Sequence, residues 1–307
     1  VTDLPRSDGR SFCIAHFSDT HVLSLTGARP REFLNKRATG AVNLAFNRSK
    51  QYRVEVFERL LVTIAGLAPD HTVCTGDLVN LALAAEFDRV RDLLRQSFAP
   101  DALTVVPGNH DAYERDATRA GRFETAFADY LPRDVDVVGT ERYPVVRLRP
   151  DWAIVGLTSA VPTPAFLATG TVGARQRQAV RLLLAAPELA GRFRMVMLHH
   201  PLLPDPTRPL DHLRRLTDAD EVVTALAESP PDLVVHGHNH VFVRNRLPGT
   251  DTPLIQVASG SRRKVGHMAE FNLYRITEGR LRRIERHIYD ERADAFLPHD
   301  EWGGRLP

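Results

Sequence analysis

Cysteine and lysine are scarce in this 307-residue chain, and each scarcity narrows what it can be. Only two cysteines occur, Cys13 and Cys74, both inside short apolar runs. Two thiols cannot form the multi-bridge framework of a small secreted domain, so buried thiols in a reducing compartment are expected. Only three of 40 basic residues are lysines (Lys36, Lys50, Lys264), an arginine skew that genomic base composition accounts for. Nor does either charge dominate: 38 acidic residues leave a formal charge of +2, which excludes a globally basic nucleic-acid binder. No run reads as a membrane span. The one long uncharged stretch, 152–174, contains Pro162, Pro164 and three glycines, and is expected to be a buried strand followed by a loop. The polar segment 1–10 has no apolar signal core, which makes a cytoplasmic location the expectation. Without repeats or linker-like tracts, one domain over residues 1–292 with a C-terminal tail at 293–307 is expected.

What is present is an alternation of strand-like and helix-like segments. Residues 11–18 form an apolar run of strand length, after which Val54, Phe57, Leu61, Ile64 and Leu67 recur at helical spacing. A second strand is predicted at 71–75, a helix with the apolar face Leu83, Phe87, Val90 and Leu94, and a third strand at 103–106. Strand-helix-strand order of this kind implies right-handed crossovers and a largely parallel sheet, hence an α/β fold. Further strands are predicted at 152–157, 194–198 and 233–235, with helices near 175–185 and 220–227. Beyond Val241 short strands follow at 241–246, 254–258 and 271–276. Glu278-Gly279 has the chemistry of a hairpin turn, whereas Leu281, Ile284 and Ile288 are spaced as on a helix. The β-rich neighbourhood favours a strand there.

Five strands end in residues suited to metals: Ser18-Asp19-Thr20-His21, Gly76-Asp77, Gly108-Asn109-His110-Asp111, His199-His200-Pro201 and Gly237-His238-Asn239-His240. Loops at the carboxyl ends of strands line the binding crevice of open α/β sheets, so the five blocks are expected to converge. Taken singly, each has an ordinary explanation. An Asp-x-His is frequent in turns, and Asp77 after Gly76 is equally a turn residue or a helix N-cap. Gly-Asn-His-Asp and Gly-His-Asn-His are more specific, because glycine permits the tight turn that brings adjacent side chains inward. Their joint occurrence, in order and each after a strand, favours a shared site. His16 and His236 read as strand residues, while His71, His212, His267, His287 and His299 carry no motif context.

In these blocks the sequence resembles the calcineurin-like metallophosphoesterase superfamily, over roughly residues 12–276. The resemblance implies an α/β fold of four layers, an αββα sandwich of two mixed sheets with flanking helices. It also implies two divalent or mixed-valence metal ions (Mn, Fe or Zn) at the strand ends. By motif position, Asp19, His21 and His240 would hold one metal, Asn109, His199 and His238 the other, and Asp77 would bridge both. The family ligand stands two residues before Pro201, which selects His199 and leaves His200 to shape the pocket. The implied reaction is phosphoester hydrolysis, a metal-bridging hydroxide attacking phosphorus in line. His110 would protonate or stabilise the leaving oxygen, with Asp111 orienting its ring.

Between His21 and the first helix lies a basic insert. Residues 29–53 contain Arg29, Arg31, Lys36, Arg37, Arg48, Lys50 and Arg53 against Glu32 alone, a local charge of +6. The insert is either a solvated loop with apolar anchors or a contact surface for a substrate phosphate, a nucleotide or an acidic membrane face. Phe33-Leu34-Asn35-Lys36-Arg37, with Gly40 and Asn43, resembles members that cleave lipid-linked UDP-sugar pyrophosphates of the UDP-2,3-diacylglucosamine type. That resemblance makes Asn35, Lys36, Arg37 and Asn43 candidate substrate contacts. Length and motif spacing also resemble bacterial cyclic-nucleotide phosphodiesterases. The expectation is a phosphodiesterase acting on a small-molecule or lipid-linked phosphate ester, peripheral membrane contact through 29–53 being one of the alternatives for the insert. A UDP-sugar pyrophosphatase is the alternative, and no nucleic-acid partner is favoured. A non-catalytic metal-binding scaffold is the alternative of another class; loss of ligands or of His110 would favour it, and neither is lost.

Overall fold

Strand β1 (Ser11–Phe17) shows how the layers arise. Phe12 and Ile14 face a second sheet while Cys13, Ala15 and Phe17 face helices, so the strand is apolar on both sides. The structure, a computed structural model, describes residues 11–28, 51–113, 115–137, 142–164, 166–205 and 211–303. After β1 come α1 (Val54–Leu67), β2 (His71–Cys74), α2 (Ala84–Ser97), β3 (Leu103–Val105) and two short helices, α3 (Arg115–Arg119) and α4 (Arg122–Ala126). β4 (Val145–Leu148) and β5 (Trp152–Gly156) pair antiparallel, and α5 (Ala174–Leu184), β6 (Phe193–Met197), α6 (Ala219–Ala227) and β7 (Leu233–His236) follow. β8 (Val243–Arg246), β9 (Pro253–Gln256), β10 (Glu270–Thr277), β11 (Arg280–Asp290) and β12 (Ala295–Gly303) come last.

Two six-stranded sheets result, ordered β12-β11-β10-β1-β2-β3 and β4-β5-β6-β7-β9-β8. They meet face to face through Ile14, Val73, Met195, Val235, Ile255 and Tyr274. On the outer face of the first sheet, α1 and α2 bury Phe57, Leu60, Ile64, Phe87, Val90 and Leu94. On that of the second, α5 and α6 bury Val180, Leu183, Val222 and Leu226. This is the αββα sandwich.

The sheets are mixed and not largely parallel. β1-β2-β3 and β5-β6-β7-β9 run parallel, but β10, β11 and β12 extend the first sheet antiparallel. Segment 280–290 is a strand, as its neighbourhood indicated. Glu278 and Gly279 both take positive φ (53° and 64°), as in the two-residue turns whose twist suits a hairpin. The helix-like spacing has a specific cause. Opposite Arg275 and Ile276 the partners are Arg283 and Leu281, so Arg282 is an extra, bulged residue. The bulge brings Leu281 and Ile284, three apart, onto the same inter-sheet face. Residues 295–303, expected as part of a tail, instead form β12 on β11, where Phe296 packs against Phe271 and Tyr289. In stretch 152–174, Trp152–Gly156 form β5 and the described residues from there to Gly173 are loop leading to α5, and Cys13 and Cys74 are buried and unbridged. Among the described residues no helix is long and apolar enough to cross a membrane.

Candidate metal centre

The β1-β2 ladder continues past the strands themselves. Asp19 N–H donates to the Gly76 carbonyl (2.9 Å), His21 N–H to Asp77 (2.9 Å) and Val22 N–H to Leu78 (2.9 Å). Asp19, His21 and Asp77 are thereby placed side by side by backbone alone. On the second sheet Leu198 N–H donates to Val235 and Gly237 N–H to His199, which aligns His199 with His238. A third clamp comes from the loop after β9. Gly260 N–H reaches the Ser18 carbonyl, and the Ser259 and Ser261 hydroxyls reach the Asp19 and Thr20 carbonyls, both at 2.6 Å.

Asp19 (φ 55°), His21 (45°), Asp77 (53°), His238 (77°) and His240 (57°) all sit in the left-handed region. Such backbone costs about 1–3 kcal/mol per non-glycine residue and concentrates at functional sites. Glycine is required at two neighbouring positions. A Cβ at Gly108 would fall on the Asp77 carboxylate, and one at Gly237 on Ser18 Oγ and Asp19 Oδ2.

Two donor sets converge between the sheets. In the first, His240 Nε2 lies 3.0 Å from Asp19 Oδ1 and 3.0 Å from His21 Nε2, which is 3.8 Å from Asp19 Oδ1 and 3.7 Å from Asp77 Oδ2. In the second, His199 Nε2 lies 3.1 Å from His238 Nδ1, 3.2 Å from Asn109 Oδ1 and 3.5 Å from Asp77 Oδ2. Asp77 Oδ2 therefore faces both sets, while its Oδ1 accepts the His110 backbone N–H at 2.7 Å.

The donor chemistry fits metal ions. His199 Nδ1 donates to the Thr75 carbonyl (2.8 Å), so a neutral His199 presents a lone pair at Nε2 toward the Asn109 amide oxygen. Asp19 Oδ1 is likewise buried and accepts no hydrogen bond. Lone pairs facing each other inside a protein call for a cation, and atoms sharing one ion at about 2.1 Å stand about 3.0–3.4 Å apart. Burial holds the pKa values of His199 and His238 below the ordinary range, which keeps the imidazoles neutral as ligation requires.

His200 clusters with His199 and His238, yet both of its ring nitrogens are engaged. Nε2 donates to the Ala168 carbonyl (3.1 Å), and Nδ1 pairs with the Ser159 hydroxyl (2.7 Å). It is a buried neighbour of the second set with no nitrogen to offer a metal. His110 belongs to neither set. Its Nδ1 donates to the Asn80 carbonyl (2.6 Å), and its ring lies edge-on to His21 with centroids 4.7 Å apart. Asp111 does not orient that ring. Its carboxylate accepts Val79 N–H (3.0 Å) and Gly108 N–H (2.8 Å), tying the β2 and β3 loops together. Burial and then Asp77 push its pKa up to about 7.

A family model described as calcineurin-like phosphoesterase matches residues 13–242. The chain belongs to this family. Among solved structures, this phosphoesterase is similar to a dimetal phosphatase from Danio rerio, with TM-score 0.59 and 12% identity over 90% of this chain and 95% of that one. It is also similar to a purple acid phosphatase from yellow lupin (Lupinus luteus), with TM-score 0.59 and 10% identity over 96% of this chain and 54% of that one. At such identities the likeness is one of fold. A search of curated protein sequences gave no match.

The other residues singled out by sequence divide clearly. His16 and His236 are buried strand residues of the phosphoesterase, His16 bonded to Tyr274 and Thr75. Asn35, Lys36, Arg37, Asn43 and most of the basic insert lie outside the described residues. Tyr52 was missed: its hydroxyl is 2.7 Å from His240 Nδ1, and no motif marks it. The Asn80 carbonyl that holds His110 was missed too, since a backbone acceptor leaves no trace in residue type.

Proposed function

We propose that this phosphoesterase is a dinuclear-metal-dependent phosphodiesterase. Asp19, His21 and His240 would hold one ion, Asn109, His199 and His238 the other, and Asp77 would be shared. One observation carries the reading: Asp77 Oδ2 lies 3.7 Å from His21 Nε2 and 3.5 Å from His199 Nε2, so two donor sets share one carboxylate oxygen. When bound, two such cations act as Lewis acids toward phosphoryl oxygens and make water acidic enough to serve as a nucleophile near neutral pH. The set contains only two carboxylates, Asp19 and Asp77, so a site loaded with two divalent ions keeps net positive charge toward a phosphate anion. His110, held at Nδ1 by Asn80, moves its catalytic proton at Nε2, to the leaving oxygen of the ester. The diester preference rests on the likeness of motif spacing to bacterial cyclic-nucleotide phosphodiesterases. The test is metal-stripped protein, reloaded with Mn or with Zn, assayed on bis(p-nitrophenyl) phosphate, p-nitrophenyl phosphate, cyclic nucleotides and UDP-diacylglucosamine. Metal-dependent cleavage of diesters ahead of the monoester is expected. Absence of metal-dependent hydrolysis on every substrate would sink the enzyme reading and leave a scaffold. Selective cleavage of the UDP-lipid would move the activity to a pyrophosphatase and bring Asn35, Lys36, Arg37 and Asn43 into the substrate site.

A further inference from the structure

We propose that Tyr52 is a positioning residue for the metal centre, acting through His240; the inference rests on the metal-binding reading above. For His240 to offer a lone pair at Nε2, beside Asp19 Oδ1 and His21 Nε2, its proton must reside on Nδ1. The Tyr52 hydroxyl oxygen, 2.7 Å from Nδ1, is placed to accept that proton's hydrogen bond. A partner at the second ring nitrogen fixes the tautomer and the orientation of a metal-binding histidine.

Ring packing adds to the hydrogen bond. The Tyr52 ring meets His21 edge-on with centroids 4.8 Å apart and His240 at 5.6 Å, while His21 and His240 are 4.9 Å apart. One aromatic side chain therefore braces both histidines of the first donor set and touches neither histidine of the second. Tyr52 is itself fixed by backbone. It pairs antiparallel with Arg262, Arg53 N–H donates to the Ser261 carbonyl (3.1 Å), and Arg263 N–H donates to Gln51 (2.6 Å). The same 259–261 loop holds the carbonyls of Ser18, Asp19 and Thr20. The ligand turn and its brace hang from one loop, so their separation is set by short backbone and serine contacts.

Because the brace serves one donor set, the two ions should respond unequally. The experiment is calorimetric titration of the metal-stripped full chain with Mn, for wild type, Tyr52→Phe and Tyr52→Ala, with melting temperatures of the metal-free proteins in parallel. Tyr52→Phe keeps the ring and removes the hydroxyl. Its expected effect is a roughly 10- to 100-fold loss of affinity for one ion of the two, the other unchanged, with the metal-free melting temperature at the wild-type value. Tyr52→Ala should weaken the same ion further. Wild-type affinity for both ions in Tyr52→Phe overturns the proposal. Equal weakening of both ions together with a lower metal-free melting temperature also overturns it, since Tyr52 would then be a packing residue. A wild-type protein that binds no ion would fail at the earlier step, and the proposal would fall with the metal reading.

Discussion

His110 gives its backbone N–H to Asp77 Oδ1 and its ring Nδ1–H to the Asn80 carbonyl, so the residue proposed as the acid is fastened at two points to the loop that carries the shared carboxylate. Only the backbone bond would survive truncation to alanine. His110→Ala is therefore expected to lower turnover by roughly 10²-fold or more while elemental analysis still finds metal at wild-type stoichiometry. Asp111→Ala provides the contrast. If that carboxylate oriented the imidazole, its loss would reproduce the His110 defect. The geometry instead predicts that the buried N–H groups of Val79 and Gly108 lose their acceptor, which costs about 1–3 kcal/mol for each unsatisfied group in urea unfolding. A kinetic defect as large as that of His110→Ala, with unchanged stability, would contradict this division of labour.

At the scale of elements, the motif turns and the strands feeding them were readable because each is local. Gly237 precedes two histidines at positive φ, and its missing Cβ is what lets the turn lie against Ser18 and Asp19. Gly237→Ala should force the β1 and β7 ends apart. About 1–3 kcal/mol of stability is expected to be lost, with weakened metal binding even though no donor has been removed. Wild-type metal affinity in that variant would show that the close approach is dispensable. What the residue pattern hid is non-local. The Arg282 bulge brings two residues three apart onto one strand face and so imitates a helix, and β12 has Pro298 and charged residues on an edge strand, where alternation is weak. Tyr52 reaches His240 across 188 residues of sequence, and Asn80 acts through its carbonyl, so neither could be read from neighbours.

Across the whole molecule, packing two sheets face to face encloses histidines that no metal needs. His16 and His236 are buried at the ends of β1 and β7, and His71 is bonded to Thr104 beside Trp152. Burial is the main cause that holds them neutral, pushing His16 and His71 down to about 3 and His236 down to about 4, with a charged or imidazole neighbour adding to the effect for His16 and His71. An exposed imidazole in the unfolded chain titrates near 6.5. Above that pH neither state carries the proton and the fold keeps its full stability. As pH falls below about 6.5 the unfolded chain takes up protons that the folded protein refuses, so stability drops until the folded pKa values near 3 to 4 are reached. Each such group contributes up to about 1.4 kcal/mol per pH unit. Asp111, its buried carboxyl pushed up to about 7, takes up a proton in the folded protein over the same range and offsets one of the three. That leaves about 3 kcal/mol per pH unit, a large share of the roughly 5–15 kcal/mol that a domain possesses. The urea midpoint of the metal-free protein is therefore expected to fall steeply between about pH 7 and about pH 5. His71→Gln, which replaces a histidine remote from the metal donors, should flatten that slope by about one proton's worth. A midpoint that does not move with pH over this range would mean that these imidazoles find a proton-accepting environment in the folded protein after all.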